Sequence, residues 1–138
     1  MAMSGVTLAS NVVGALNDLR MKKSRYVILA IGDDGKQVEV KEVGARGSSF
    51  EDFQKKLDAS NPCYGAVDFE YEDGGKRDKL VLVQWIPEGA KPRSKMLYSA
   101  SRDALNSASE GYLAIQANDA SDVTLEEIVR RIKSHRGN

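Results

Sequence analysis

The sequence predicts a single α/β domain in which helices cover both faces of a mixed β-sheet of about five strands. The 138 residues suit one domain, since most domains contain about 100–150 residues. Helical and strand-like hydrophobic periods alternate in the order α-β-β-α-β-β-α-β-α. The run Leu80–Ile86 is almost entirely apolar, which is typical of a central strand buried on both faces. Residues 1–7 lack a pattern, so we expect a flexible tail there and the domain over residues 8–138.

The first half of the chain predicts a helix, a β-hairpin and a second helix. The first helix begins after Ser10 or Asn11 and carries an apolar stripe at helical spacing, formed by Val12, Val13, Leu16 and Leu19. The hairpin turns at Asp33-Asp34-Gly35, between strands over residues 25–31 and 37–43. Ser48-x-x-Glu51 matches a capping box, which predicts the start of the second helix.

The second half predicts three strands and two helices. Residues 64–71 alternate in polarity, so we expect a half-buried strand that turns at Gly74-Gly75 into the central strand. Pro87 ends the central strand because proline cannot donate to a β-ladder. A helix over residues 93–108 and a strand over residues 112–117 follow, and Thr124-x-x-Glu127 caps a final helix.

Composition excludes several classes of protein. Lys and Arg together number 20, as do Asp and Glu, so the chain is not a globally basic nucleic-acid binder. The single cysteine, Cys63, allows neither an internal disulfide nor a cysteine-rich zinc site, which favours a reducing compartment. No apolar run approaches the roughly 20 residues of a membrane helix, and the first residues lack a signal pattern. We therefore expect a soluble cytoplasmic protein without membrane insertion. We also expect a monomer.

The residue types that enzymes use are sparse. His135 is the only histidine and lies where a cation suits a helix C-terminus. Cys63 follows a proline at a strand start, where a buried small side chain is the usual role. Asp68 and Glu70 share a strand face that we interpret as a solvated surface. Phosphate-loop, dinucleotide-binding and metal-ligand spacings are absent from the sequence, which predicts a protein that is not an enzyme and needs no metal or cofactor.

The neutral total charge hides two halves of opposite sign. Residues 33–73 contain eleven acidic and five basic residues, whereas residues 76–102 contain seven basic and two acidic ones. Arg93 and Lys95 open a predicted helix, where the helix dipole disfavours cations, and Met96 lies between the polar and apolar faces. This arrangement favours contact with an acidic partner surface; the alternative is that these charges are simply solvated.

The segment from Arg93 to Leu105 resembles the long actin-binding helix of the ADF/cofilin family. The preceding Trp85-Ile86-Pro87 resembles the family's Trp-x-Pro strand end. Other matches follow the family's order along nearly the whole chain, at Ser4-Gly5-Val6, Tyr64-x-x-x-Asp68 and Gly75-Lys76-Arg77. The resemblance implies the ADF-homology fold and a protein that binds actin monomers and filaments, prefers ADP-bound subunits, and severs and depolymerises filaments.

The resemblance also implies two actin-binding sites. The site for monomers and filaments would comprise Ser4, Gly5, Val6, Arg93, Lys95, Met96, Ser101 and Arg102. The filament-only site would comprise Arg77, Lys79, Arg130, Arg131 and Lys133. Ser4 matches an inhibitory phosphorylation site, where added negative charge would oppose an acidic partner.

Two stretches depart from the family pattern. Residues 106–110 replace a lysine cluster of many relatives, so we expect weak phosphoinositide binding. Arg130 replaces an acidic residue of some relatives, so severing efficiency is expected to differ. The alternative function is a module that binds phosphoinositides at a membrane surface through the basic residues.

Overall fold

The structure, a computed structural model, describes residues 5–136. Within this range the helices are α1 (Val12–Arg20), α2 (Phe50–Gln54), α3 (Pro92–Ala100) and α4 (Leu125–Arg136), with short 3₁₀ helices at Arg102–Leu105 and Ala120–Val123. The strands are β1 (Thr7–Leu8), β2 (Ser24–Ile31), β3 (Gln37–Ala45), β4 (Cys63–Glu72), β5 (Lys76–Trp85) and β6 (Leu113–Ala117).

All six described strands form one sheet in the order β1-β3-β2-β4-β5-β6. The outer pairs β1–β3 and β5–β6 are parallel, and the inner pairs are antiparallel. The prediction of a mixed sheet in an α/β domain is therefore confirmed. The strand beyond the expected five is β1, whose two residues are too few to show a hydrophobic period.

Helices cover both faces of the sheet. On one face, α1 and α3 pack over side chains that include Val27, Leu29 and Tyr64. On the other, α2 and α4 pack over side chains that include Ile28 and Phe69. Successive residues of a strand point to opposite faces, which is why neighbours in β2 belong to different halves of the core.

The expected tail at residues 1–7 overlaps the folded part of the described chain. Val6 is buried in the core below α1 and α3, and Thr7 pairs with Gln37 in the sheet. Apolar contacts fix residue 6, and a parallel β-bridge to β3 fixes residue 7. Two residues are too few for a sequence pattern to predict either contact. Residues 1–4 lie outside the described range.

Several element boundaries differ from the sequence-based expectation. The capping box is Ser49-x-x-Asp52 rather than Ser48-x-x-Glu51, because both frames satisfy the pattern and Ser49 has the extended backbone that an N-cap needs. Val13 is 47% exposed, although it adjoins the buried stripe of α1. Strand β4 is buried along residues 63–69 rather than half-buried, because it lies between β2 and β5 with helices on both sides.

The helix expected over residues 93–108 is interrupted. Helix α3 ends at Ala100, and a 3₁₀ turn begins at Arg102. The carbonyl of Tyr98, which a continuous α-helix would direct to the N–H of Arg102, instead accepts a hydrogen bond of 2.5 Å from the Tyr64 hydroxyl. The sheet beneath α3 therefore contributes to ending the helix.

No helix among residues 5–136 combines the length and apolarity needed to cross a bilayer.

Candidate functional site

Helix α3 presents a basic and apolar surface to solvent. It begins with Pro92 at its first position, where proline has the right backbone angle and loses no helical hydrogen bond. Arg93 is exposed, and Met96 is 69% exposed. Lys95 lies 4.0 Å from Glu88 in the loop before the helix. We call Arg93, Lys95, Met96 and Arg102 the α3 surface.

Tyr98 fixes the position of the α3 surface on the sheet. Its hydroxyl accepts a hydrogen bond of 2.8 Å from the backbone N–H of Ile31 in β2, and its ring lies 5.2 Å from that of Tyr64. Burial raises the pKa of the Tyr98 and Tyr64 hydroxyls, so both stay protonated at neutral pH. Helix α3 is thus held on the sheet by polar contacts as well as by apolar packing, and these contacts fix which of its side chains face solvent.

The structure brings the N-terminal segment next to this helix. Val6 shares a core cluster with Tyr98 and with Leu105 of the 3₁₀ turn, and β1 contacts the same turn. Gly5 is exposed and has a positive φ of 73°, which glycine adopts readily. Ser4, the expected phosphorylation site, lies outside the described residues.

Two of the residues proposed from the resemblance lie below the surface. Ser101 is 1% exposed and Val6 is 5% exposed, so neither side chain faces solvent as the structure stands. Arg102 is half-buried at the start of the 3₁₀ turn. The exposed members of the proposed set are therefore concentrated at Gly5, Arg93 and Met96, with Lys95 and Arg102 beside them.

A second basic surface lies between the β4–β5 hairpin and α4. These elements enclose a groove of about 1090 Å³, which we call the hairpin groove. Lys133 of α4 lies 4.0 Å from Asp73 of the hairpin, so the two walls meet at that point. The groove is lined by Lys22, Arg46, Glu70, Tyr71, Glu72, Lys76, Arg77, Asp78, Leu125, Glu126, Val129, Arg130 and Lys133.

The proposed filament-site residues differ in how they are held. Arg77 is exposed and donates from Nε to the carbonyl of Asp73 at 3.1 Å. Arg130 forms two hydrogen bonds to Glu127, at 2.9 and 2.6 Å. Lys79 is half-buried and pairs with Phe69 along the hairpin.

Arg131 has a structural position. It donates to Glu127 at 2.8 Å and to the carbonyl of Gln116 at 2.9 Å, which ties α4 to β6. Hydrogen bonds from Arg130 and Arg131 lower the pKa of Glu127 to about 2. Arg131 is therefore committed to contacts between elements, whereas the hydrogen bond of Arg77 stays within its own hairpin.

A cluster of ion pairs that the sequence did not predict supports the hairpin groove. Asp68 of β4 is 2% exposed, so its interpretation as a solvated surface residue is wrong. Its carboxylate accepts from Lys22 at 3.0 Å and from Arg46 at 2.8 Å. Lys22 also pairs with Asp78 of β5, and Arg46 lies 3.5 Å from Glu70.

Lys22 bridges the two strands of the hairpin from the end of α1. Its backbone has a φ of 63°, a conformation that is uncommon for a non-glycine residue. Hydrogen bonds to Asp78 and Asp68 raise the pKa of its ammonium group. The alternation of residues along β4 could have predicted that Asp68 is buried, since it places Asp68 on the same face as the buried Tyr64 and Ala66.

The single cysteine is buried, as its position in the sequence predicts. Cys63 is buried, and burial raises the pKa of its thiol to about 12. His135 lies at the end of α4. Among residues 5–136 no group of three or more His, Cys, Asp or Glu side chains is placed to hold a metal ion.

Comparisons with known proteins agree with the resemblance found in the sequence. Residues 5–133 match the family described as cofilin/tropomyosin-type actin-binding protein. The cofilin of Kluyveromyces lactis is 37% identical over 99% of this chain and 99% of that protein.

Two solved structures extend the comparison to the fold. The ADF/cofilin of Trypanosoma brucei is 54% identical, with a TM-score of 0.79, over 98% of this chain and 99% of that one. The cofilin of Streptomyces griseoflavus is 32% identical, with a TM-score of 0.86, over 97% and 100% respectively. The chain therefore belongs to the ADF/cofilin family of actin-binding proteins.

Proposed function

We propose that this protein binds actin monomers and filaments, prefers ADP-bound subunits, and severs and depolymerises filaments. The observation that carries the proposal is Met96, an apolar side chain 69% exposed on α3, the helix that also carries Arg93 and Lys95. Large flexible hydrophobes beside cations are typical of protein-binding surfaces. Family membership supplies the partner.

The α3 surface is the proposed contact for both monomers and filaments. Met96 would enter an apolar cleft of actin while Arg93 and Lys95 meet carboxylates around it. Gly5 and Arg102 flank the helix and would extend the contact. Ser101 and Val6 lie beneath this surface, and we assign them the role of holding it in place.

The hairpin groove is the proposed filament-only contact. Arg77, Arg130 and Lys133 line it, and Lys79 lies further along β5. A protein that touches one actin subunit through α3 and its neighbour through this groove spans a subunit contact. Arg131 would act by fixing α4 against β6.

Severing needs no bond chemistry in this mechanism. A ligand shifts a conformational equilibrium by the difference between its affinities for the two states. Preferential binding across a subunit contact with altered twist would weaken that contact and promote breakage. Preference for ADP-bound subunits would follow if the same altered conformation is more accessible to them.

Phosphorylation of Ser4 would oppose binding. A phosphate adds about −1.5 to −2 charges at neutral pH, and the following Gly5-Val6 segment leads to the α3 surface. Repulsion from an acidic partner would lower affinity for monomers and filaments together. We place the protein in the cytoplasm at the actin cytoskeleton.

Phosphoinositide headgroups are a second, weaker candidate ligand. Six basic side chains line the hairpin groove against four acidic ones, which favours an anion. Residues 106–110, however, contain no lysine or arginine. Binding to vesicles with phosphoinositides, and its loss on adding salt, would measure this activity.

Co-sedimentation with ADP-actin filaments and monomer binding in solution test the main proposal. The variant Arg93→Ala/Lys95→Ala should lose affinity for both forms of actin while its thermal unfolding stays unchanged. Lys41→Ala/Lys55→Ala removes the same charge from exposed positions outside both proposed contacts and is the matched control. No binding by the unmodified protein at micromolar concentration would refute the proposed function.

A further inference from the structure

The hairpin groove combines an apolar centre with a basic border. Leu125, Tyr71 and Val129 contribute the large apolar side chains of its lining. Tyr71 and Val129 pack against the core cluster beneath α4 and form the floor. Leu125 is 48% exposed and stands at the edge of the groove.

The position of Leu125 is fixed by the start of α4. The hydroxyl of Thr124 accepts a hydrogen bond of 3.1 Å from the N–H of Glu127, so Leu125 occupies the first helical position. A helix of twelve residues packed on the sheet carries it. This exposed leucine is therefore held on a rigid element, as suits a binding contact.

Charge around the apolar centre indicates what could cover it. The lining contains six basic and four acidic side chains, a net charge of +2. Lys76 and Arg77 lie on the hairpin wall, and Arg130 and Lys133 lie on the helix wall. Four of these basic residues already contact carboxylates. Lys22 and Arg46 pair with β4 and β5, Arg130 pairs with Glu127, and Lys133 lies 4.0 Å from Asp73. Within residues 5–136, Lys76 and Arg77 on the hairpin wall form no such ion pair, so they are the cations available to a bound segment.

From this arrangement we propose that the hairpin groove receives a large apolar side chain flanked by carboxylates, with Leu125 as its main apolar contact. The inference rests on the proposed function, so this apolar side chain and the carboxylates beside it belong to the neighbouring actin subunit of a filament. The apolar side chain would pack between Leu125, Tyr71 and Val129, and the carboxylates beside it would meet Lys76 and Arg77 on the hairpin wall. Burial of apolar surface would then hold the actin segment at the filament-only site, and the basic side chains would orient that segment.

Filament and monomer affinities of Leu125→Gln test the proposal. This change keeps most of the side-chain length and is tolerated in a helix. Filament affinity should fall about tenfold, because about half of the leucine side chain would no longer be transferred from water into the contact. Monomer affinity should not change. Val13→Gln, at a similarly exposed position on α1, should bind filaments like the unmodified protein.

The salt dependence of binding separates apolar from ionic contacts. Leu125→Gln should lower filament affinity equally at low and high salt, since burial of apolar surface is not screened. Arg77→Ala should lower it mainly at low salt. Val129→Thr, nearly the same in shape, should weaken filament binding in the same direction as Leu125→Gln, and Leu125→Met should retain it.

Each outcome bears on a distinct claim. Unchanged filament affinity of both Leu125→Gln and Val129→Thr, with loss in Arg77→Ala, would overturn the apolar contact and leave the proposed function standing. Equal loss of monomer and filament affinity in Leu125→Gln would also overturn it. Failure of the unmodified protein to bind filaments would instead refute the proposed function itself.

Discussion

The hydroxyl of Tyr64, in the centre of the sheet, donates a 2.5 Å hydrogen bond to the backbone carbonyl of Tyr98 in α3. The same carbonyl lies 3.4 Å from the side-chain amide of Gln84. The Tyr64 hydroxyl thus occupies a backbone carbonyl that would otherwise accept a hydrogen bond within the helix. The chain turns from α3 into the 3₁₀ segment just beyond this point, which sets the position of Arg102 relative to Met96.

Tyr64→Phe tests the importance of this hydrogen bond. The substitution leaves the buried Tyr98 carbonyl with a weaker partner and should lower the free energy of unfolding by about 1–3 kcal/mol. Denaturant unfolding measures the loss. Tyr71→Phe, half-buried on the opposite face of the hairpin, is the control and should change stability by less than about 0.5 kcal/mol. Equal effects of the two changes would contradict this role of Tyr64.

The two aspartates that pair with Lys22 should differ in energetic weight. Asp68 is buried and accepts from both Lys22 and Arg46, whereas the side chain of Asp78 is 45% exposed. Asp68→Asn should therefore lower the free energy of unfolding by about 2 kcal/mol, the usual loss for hydrogen bonds to charged groups. Asp78→Asn should cost less than about 1 kcal/mol, as exposed ion pairs do.

Denaturant titration of both variants gives this comparison. Each change removes one carboxylate charge from the same lysine, so the variants are matched. If Asp78→Asn proves the more damaging, the ion-pair cluster is organised from the surface of the hairpin and not from Asp68.

Local patterns in the sequence were sufficient to predict the main elements of the fold. The apolar run of β5, the Gly74-Gly75 turn and the Thr124 cap all lie where the sequence placed them. These features depend on neighbours within a few residues. The family match and the non-enzymatic nature of the family also confirm the expectations drawn from the sequence.

Contacts between distant residues account for what the sequence did not predict. The break after Ala100 depends on Tyr64, 34 positions away from Tyr98. The burial of Asp68 depends on Lys22 and Arg46, which approach it from two other elements. Helical spacing placed Met96 between the polar and apolar faces of the helix, but the burial of Ser101 follows from packing that no single helix reveals.

The thiol of Cys63 should react slowly in the folded protein. Burial raises its pKa to about 12, so at pH 8 only about one thiol in ten thousand is ionised. A thiol reagent followed by absorbance should label it at the rate of protein opening, and immediately in denaturant. Labelling in native buffer as fast as that of a free thiol would show that Cys63 is accessible.

Glu127 should make stability depend on pH in the acid range. Its pKa in the folded protein is lowered to about 2, first by the hydrogen bond from Arg130 and then by that from Arg131. In the unfolded chain a glutamate titrates near pH 4.3, so folding lowers the pKa of this carboxyl. The stabilisation is therefore complete above about pH 5 and is lost as the pH falls towards about 2.

The unfolding midpoints of Glu127→Gln and the unmodified protein test this dependence. The unmodified protein should be the more stable at about pH 7, and the difference should shrink steadily below about pH 4. Glu126→Gln removes a charge from the same helical turn while Arg130 and Arg131 keep their acceptor, so it controls for the helix dipole. Because Arg131 also binds the Gln116 carbonyl, the fold should survive in Glu127→Gln. A difference that stays constant down to about pH 2.5 would mean that these arginines do not stabilise the ionised form of Glu127.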